Sequence, residues 1–104
     1  MRRGDVYRVR MPSGRGREQR GPRYGVIVQA DALLGLSTAI IAPTSRSAAP
    51  ATFRPEVEVA GAVTRVLVEQ LRTVDLERLA DHVGRLAADE LRAVDDALEL
   101  VLGL

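Results

Sequence analysis

A chain of 104 residues, 46% hydrophobic and 28% charged, has room for one core and enough apolar residues to fill it, so neither a second domain nor overall disorder is expected. It has no cysteine and one histidine, His82, which excludes a disulfide framework, a thiolate metal site, a cysteine nucleophile and paired-histidine metal motifs. The formal net charge of +1 hides an asymmetry: residues 1–54 carry ten arginines and three carboxylates, residues 55–104 five arginines and eleven carboxylates, so only the first half suits an anionic partner.

The opening Met1–Asp5 is charged and leads to no apolar run, so it does not read as a signal peptide. The longest apolar stretches, Ala39–Ala42 and Leu98–Leu104, fall far short of the roughly 20 residues that span a bilayer. A soluble, cytoplasmic protein without a membrane partner is expected.

Val6–Met11 alternates in the period-two manner of a short strand. Pro12–Pro22 combines glycine, proline and repeated arginine, and is a loop with nothing to bury. Arg23–Ala30 is rich in β-branched and aromatic residues and predicts a central strand. The chain then turns through Asp31–Leu36 into a second apolar strand, Ser37–Ala42, which Pro43 should stop. Ser45–Thr52 is small and polar, a loop. Pro55–Ala60 sets Glu56 and Glu58 against Val57 and Val59, the pattern of a half-exposed strand, and Thr64–Val68 reads as a buried one. Val74–Ala80 suggests one helical turn, and His82–Leu86 a short edge strand.

From Asp89 the period changes to 3.6. Leu91, Val94, Leu98, Val101 and Leu102 form an apolar stripe, with Asp95, Asp96 and Glu99 on a solvated face. Asp89 and Glu90 favour the positive end of the helix dipole, and Gly103 is placed to end the helix. Short strands followed by one terminal helix predict a mainly β (α+β) fold: a small, strongly curved barrel-like sheet of mostly antiparallel strands with the helix packed on it.

Two generic motifs are set aside. Arg3-Gly4-Asp5 spells an adhesion tripeptide, but at the start of a strand that reading has little support. Gly14-Arg15-Gly16-Arg17 resembles a phosphate cradle, yet no Gly-Lys-Ser/Thr follows and the next element is a strand. The stretch from Arg15 to Arg23 is more informative. It holds Arg15, Arg17, Arg20 and Arg23, with glycines that let backbone amides approach a phosphate chain. A solvated loop would have the same composition.

The order of motifs adds to this. Arg3-Gly4-Asp5-Val6-Tyr7 is followed by Glu18-Gln19-Arg20-Gly21-Pro22-Arg23, then Pro43-Thr44-Ser45, then Glu69-Gln70-Leu71-Arg72-Thr73 and the terminal helix. In combination these resemble the MazF/PemK family of toxin endoribonucleases from type II toxin–antitoxin systems. The resemblance implies an SH3-like barrel with a C-terminal helix, a homodimer, cleavage of single-stranded RNA at short sequences with no cofactor or metal, and a cognate antitoxin partner. It places the catalytic arginine at Arg23 and the catalytic threonine at Thr44, with Glu18 matching a loop glutamate that some members need. One departure is Tyr24, where the family usually has proline. The substitution frees φ at the strand entry, and Tyr24 could either stack on a base or enter the core.

Metal-free RNA cleavage uses the substrate's own 2′-hydroxyl as nucleophile, so the protein must move protons and stabilise charge on the phosphorane. Arg23 suits the second task, because a planar guanidinium meets two phosphate oxygens and does not deprotonate. Thr44 can hydrogen-bond and orient the same phosphate. Glu18 or Glu69 is the candidate carboxylate for proton transfer, and Glu18 is preferred because it shares a loop with Arg23. Arg15, Arg17 and Arg20 are expected to hold the RNA backbone; Gln19, Tyr24, Ser45 and Glu69 are further candidate RNA contacts. Glu69 has a structural alternative, a strand carboxylate paired with Arg72, and His82 is expected near the surface rather than as a catalytic base. Two other functions fit the fold: a CcdB-like gyrase inhibitor and a non-catalytic RNA-binding barrel. The first is disfavoured by the absence of tryptophan, since CcdB toxins depend on a Trp-Gly-Ile end and this chain ends Leu-Gly-Leu.

Overall fold

The computed structural model describes residues 1–10 and 23–104. Seven strands form one antiparallel sheet: β1 (Asp5–Val9), β2 (Arg23–Ile27), β3 (Thr38–Ser45), β4 (Glu56–Val59), β5 (Ala62–Val66), β6 (Arg72–Asp75) and β7 (Leu79–Arg85), followed by helix α1 (Ala88–Leu102). Their order is β4-β5-β3-β2-β1-β7, with β6 beside β3. The sheet curls into a half-barrel closed by the helix, as the periodicity predicts.

Strand β3 organises the molecule. One of its edges pairs with β2 through Gly25–Pro43, Val26–Ala42 and Ile27–Ile41. The other is shared. Thr38–Ile41 pairs with β6, and Thr44–Ser45 pairs with β5. The strand therefore runs through Pro43 instead of stopping before it. Proline is tolerated there because it sits between the two pairings, where the ladder needs no N–H; its carbonyl still accepts from the Leu67 amide at 2.8 Å. Between β5 and β6 the chain makes a single 3₁₀ turn, Val68–Gln70, so Val68 belongs to a turn rather than to the predicted strand.

Apolar residues fill both faces of the central strands. Val6, Val26, Val28, Ala42, Val57, Val59, Val66, Val68, Leu86, Val94 and Ala97 form the main core under the helix. Val9, Ile27, Ala39, Ile41 and Val74 form a second cluster on the opposite side. Glu56 and Glu58 face out while Val57 and Val59 are buried, as their alternation predicts. Gly25 is required by this packing: a Cβ would lie 2.7 Å from Ile41 Cδ1 and 3.1 Å from Val9 Cγ2.

The helix buries Val94 and Ala97, and half-buries Leu91, Leu98 and Val101 against the main core. Leu102, expected on this stripe, is exposed in the last turn, and Ala97 takes the inward position. The Glu90 side chain accepts from the Ala87 amide at 2.9 Å, which caps the helix, and from the Glu58 amide at 2.8 Å, which ties the helix to β4. Gly103 ends the helix in the left-handed conformation at φ 71°. Among the described residues no helix is long and apolar enough to cross a membrane.

Candidate functional site

Several arginines of the described residues are paired with carboxylates within the fold. Arg3 meets Asp95 at 2.6 Å, Arg8 pairs with Asp81, Arg54 meets Glu69 at 2.6 Å, Arg65 meets Glu56 at 3.3 Å and Arg85 meets Asp5 at 3.0 Å. Asp5 is the most enclosed of these carboxylates and belongs to the Arg3-Gly4-Asp5 tripeptide. Its Oδ2 accepts from the Arg2 amide at 2.7 Å, and its Oδ1 faces both Arg85 and, at 3.4 Å, His82 Nε2. Burial alone would push the Asp5 carboxyl up. The Arg2 amide, Arg85 and His82 outweigh burial and hold it below the usual value of 3.8. The tripeptide is thus a structural tie between β1 and β7 and presents no adhesion surface. His82 stands half-exposed on β7, with its ring edge-on to Tyr7 at 5.2 Å.

A different environment surrounds Arg23. It opens β2, opposite Val9 of β1, and lines a cleft with Val9, Tyr24, Ile41, Pro43, Gln70 and Arg72. None of these residues is acidic. The cleft, about 60 Å3, is far smaller than the roughly 300–1,000 Å3 of pockets that engulf a ligand. It can take a small group from a ligand lying across it. The sheet creates it directly: Gln70 closes the 3₁₀ turn at the point where β3 changes partner, and Arg72 opens β6 opposite Ile41.

Thr44 follows the cleft-lining Pro43 on β3, with its Cα paired to Val66 of β5. It is 6% exposed, and its hydroxyl makes no hydrogen bond among the described residues. Ser45, beside it, is buried and shares a 3.3 Å hydrogen bond with Ser47. Tyr24 resolves its two readings in an unexpected way. The ring packs on the main core, and the residue also borders the cleft.

Glu69 sits in the 3₁₀ turn, not on a strand, and its partner is Arg54 rather than Arg72. Arg54 Nε and Nη2 reach one carboxylate oxygen at 3.0 and 2.6 Å, while Phe53 lies 5.6 Å from the same guanidinium. The Arg54 hydrogen bonds hold the Glu69 carboxyl below its usual value against the opposing effect of burial. A carboxylate stabilised in this way is a poor proton acceptor. Arg15, Arg17, Glu18, Gln19 and Arg20 lie outside the described residues.

Sequence reasoning therefore selected Arg23, Thr44 and Tyr24, which the structure brings to adjacent strands at one end of the sheet. It missed Arg72 as a cleft residue. The signal was the Gln70-x-Arg72 spacing after a buried valine, but it becomes readable only once Arg54 is known to occupy Glu69.

Residues 2–102 match the family model described as "PemK-like, MazF-like toxin of type II toxin-antitoxin system". A Mycobacterium tuberculosis (strain ATCC 25618 / H37Rv) protein named "Putative toxin Rv3098A/RVBD_3098A" is 44% identical over 104 residues, covering 98% of this chain and 97% of its own length. Among solved structures, an endoribonuclease in complex with its cognate antitoxin from Mycobacterial species superposes with a TM-score of 0.85 at 18% identity, covering 100% of this chain and 96% of that one. MazF from Deinococcus radiodurans superposes with a TM-score of 0.82 at 23% identity, covering 100% and 97%. At these identities the structural matches establish a shared fold.

Proposed function

Because the chain belongs to the PemK-like, MazF-like toxin family of type II toxin–antitoxin systems, we propose that it is a metal-independent endoribonuclease that cuts single-stranded RNA at short sequences. The observation that carries this reading is the cleft lined by Arg23, Tyr24, Gln70 and Arg72, with no carboxylate among its described lining residues and the Thr44 hydroxyl on the adjoining strand. Elsewhere in the described fold, guanidinium groups are repeatedly matched to carboxylates. Two guanidinium groups on one cleft suit the negative charge of a phosphate.

In this reading the substrate's 2′-oxygen attacks the adjacent phosphorus and loses its proton to a general base. The P–O5′ bond then breaks, and the 5′-oxygen leaves with a proton. The products are a 2′,3′-cyclic phosphate and a 5′-hydroxyl. Arg23 stabilises the charge that builds on the non-bridging oxygens, and Thr44 orients the phosphate through its hydroxyl. Glu18 moves the proton, since Glu69 is committed to Arg54. Arg15, Arg17 and Arg20 hold the backbone. Gln19, Ser45 and Tyr24 contribute to base choice.

The protein acts in the cytoplasm as a homodimer, and a cognate antitoxin inhibits it by laying an acidic and apolar segment over the cleft. The test is digestion of a long single-stranded RNA in EDTA, with sequencing of the new 5′-hydroxyl ends. Ends that recur at one short sequence support the proposal. RNA that stays intact, or is cut only after a divalent metal is added, would overturn it.

A further inference from the structure

Gln70 ends the 3₁₀ turn between β5 and β6, where its backbone amide donates to the Leu67 carbonyl at 2.9 Å. The Leu67 amide donates in turn to the Pro43 carbonyl at 2.8 Å, and Val68 is fully buried in the main core. The turn is thereby fastened to β3 one residue before Thr44. Gln70 itself is exposed and lines the cleft.

A glutamine amide has a donor end and an acceptor end, and here its surroundings decide which way round it stands. Its Nε2 lies 3.5 Å from Glu69 Oε2, the same oxygen that Arg54 binds. The Arg54 hydrogen bonds hold the Glu69 carboxyl below its usual value, and an ionised carboxylate only accepts. The NH2 end of Gln70 suits that neighbour; the reverse orientation would set a carbonyl oxygen against a carboxylate oxygen. Oε1 is therefore the end turned away from Glu69, and no hydrogen bond among the described residues ends on it.

The rest of the cleft gives that oxygen a distinct use. Among the described lining residues Val9, Ile41 and Pro43 are apolar, while Arg23 and Arg72 can only donate. The Tyr24 ring packs on the main core. An acceptor in this setting suits a ligand group that donates. A phosphodiester has no such group, whereas the amino group of a nucleobase has. At about 60 Å3 the cleft takes the edge of a base and not a whole nucleotide.

We propose that Gln70 is a specificity-determining residue whose Oε1 accepts from the exocyclic amino group of a base, N4 of cytosine or N6 of adenine. Glu69 and Arg54 are positioning residues that hold its amide in that orientation. Uracil and guanine carry a carbonyl oxygen at the equivalent place and would meet Oε1 acceptor to acceptor. The proposal rests on the reading of the cleft as an RNA site and adds the class of base that the site prefers.

The experiment starts from the cut sequence defined by the new 5′-hydroxyl ends. It measures single-turnover cleavage in EDTA of short RNAs that exchange cytosine for uracil, or adenine for guanine, at each position flanking the cut. At one position the wild-type protein should favour the amino-bearing base about tenfold, the size expected for one hydrogen bond. Gln70→Leu, a change at an exposed residue, should bring that ratio close to one and leave the preferences at other positions unchanged. Glu69→Gln lets the Gln70 amide turn over and should lower the same ratio; an unmoved ratio there would overturn the positioning role. Gln70→Leu with the wild-type ratio, or with an equal loss of rate on both bases, would overturn the proposal while leaving the RNA reading intact. So would a wild-type protein that favours uracil or guanine at every selective position. No cleavage by the wild-type protein would overturn the RNA reading and this proposal with it.

Discussion

Two arginine-bearing regions of this small sheet show opposite uses of the same side chain. At the β1–β7 tie, Arg85 and His82 converge on the enclosed Asp5 carboxylate, which also accepts the Arg2 amide. At the β2–β3–β6 cleft, Arg23 and Arg72 line a slot with no carboxylate among its described lining residues. The first arrangement closes on itself and joins two strands that lie 80 residues apart in sequence. The second gathers two guanidinium groups on one cleft. A guanidinium is therefore structural or functional according to what the fold places beside it, and the net charge of +1 says nothing about which.

The comparison can be broken in several ways. The largest expected effect is on catalysis at the cleft. Thr44→Val, which keeps the shape but removes the hydroxyl, should lower the cleavage rate about 100-fold, the loss seen when one preorganised donor is removed. Single-turnover cleavage measures it, and a near-normal rate would remove Thr44 from the site. Next is the β1–β7 tie. Asp5→Ala leaves Arg85 and the Arg2 amide without their acceptor and should cost about 2 kcal/mol, or roughly 10 °C in thermal midpoint, while folded protein still cleaves. Gly25→Ala should cost about 1–2 kcal/mol, because Ile41 is fully buried and has little space to move aside.

The smallest effect is that of pH. Asp5 is held below its usual value in the folded protein. Its contribution to stability is therefore fully present above the unfolded value and is lost as pH falls from about 4 toward the folded value. Thermal melts between roughly pH 5 and pH 3 should show wild type losing more stability than Asp5→Asn, which has no proton to gain at that position. Parallel curves for the two proteins would remove Asp5 from the account.

Much of the fold could be read from local pattern. The Glu56–Val59 alternation, the helix from Ala88 and its glycine stop follow from periodicity and capping, which act within a few residues. The misreadings arose where tertiary context decides. Pro43 looks like a strand terminator, but two different partners meet on the other edge of β3 there and make its missing N–H harmless. Strand β6 escaped notice because only Val74 of its four residues is buried, which leaves no alternation to detect. The Arg54–Glu69 pair spans 15 residues across a turn and a hairpin, so the nearer Arg72 looked like the partner. Arg23 and Thr44 were singled out because they stand in recognisable motifs, whereas the place of Arg72 on the cleft shows only once β6 is set beside β3.

The difference between the two regions is tested most directly by comparing Arg23→Ala with wild type in one preparation, with RNA cleavage in EDTA and thermal midpoint measured side by side. Cleavage should fall by about 100-fold or more, with the thermal midpoint close to that of wild type. Undiminished cleavage by Arg23→Ala would contradict the central claim that this cleft carries the chemistry.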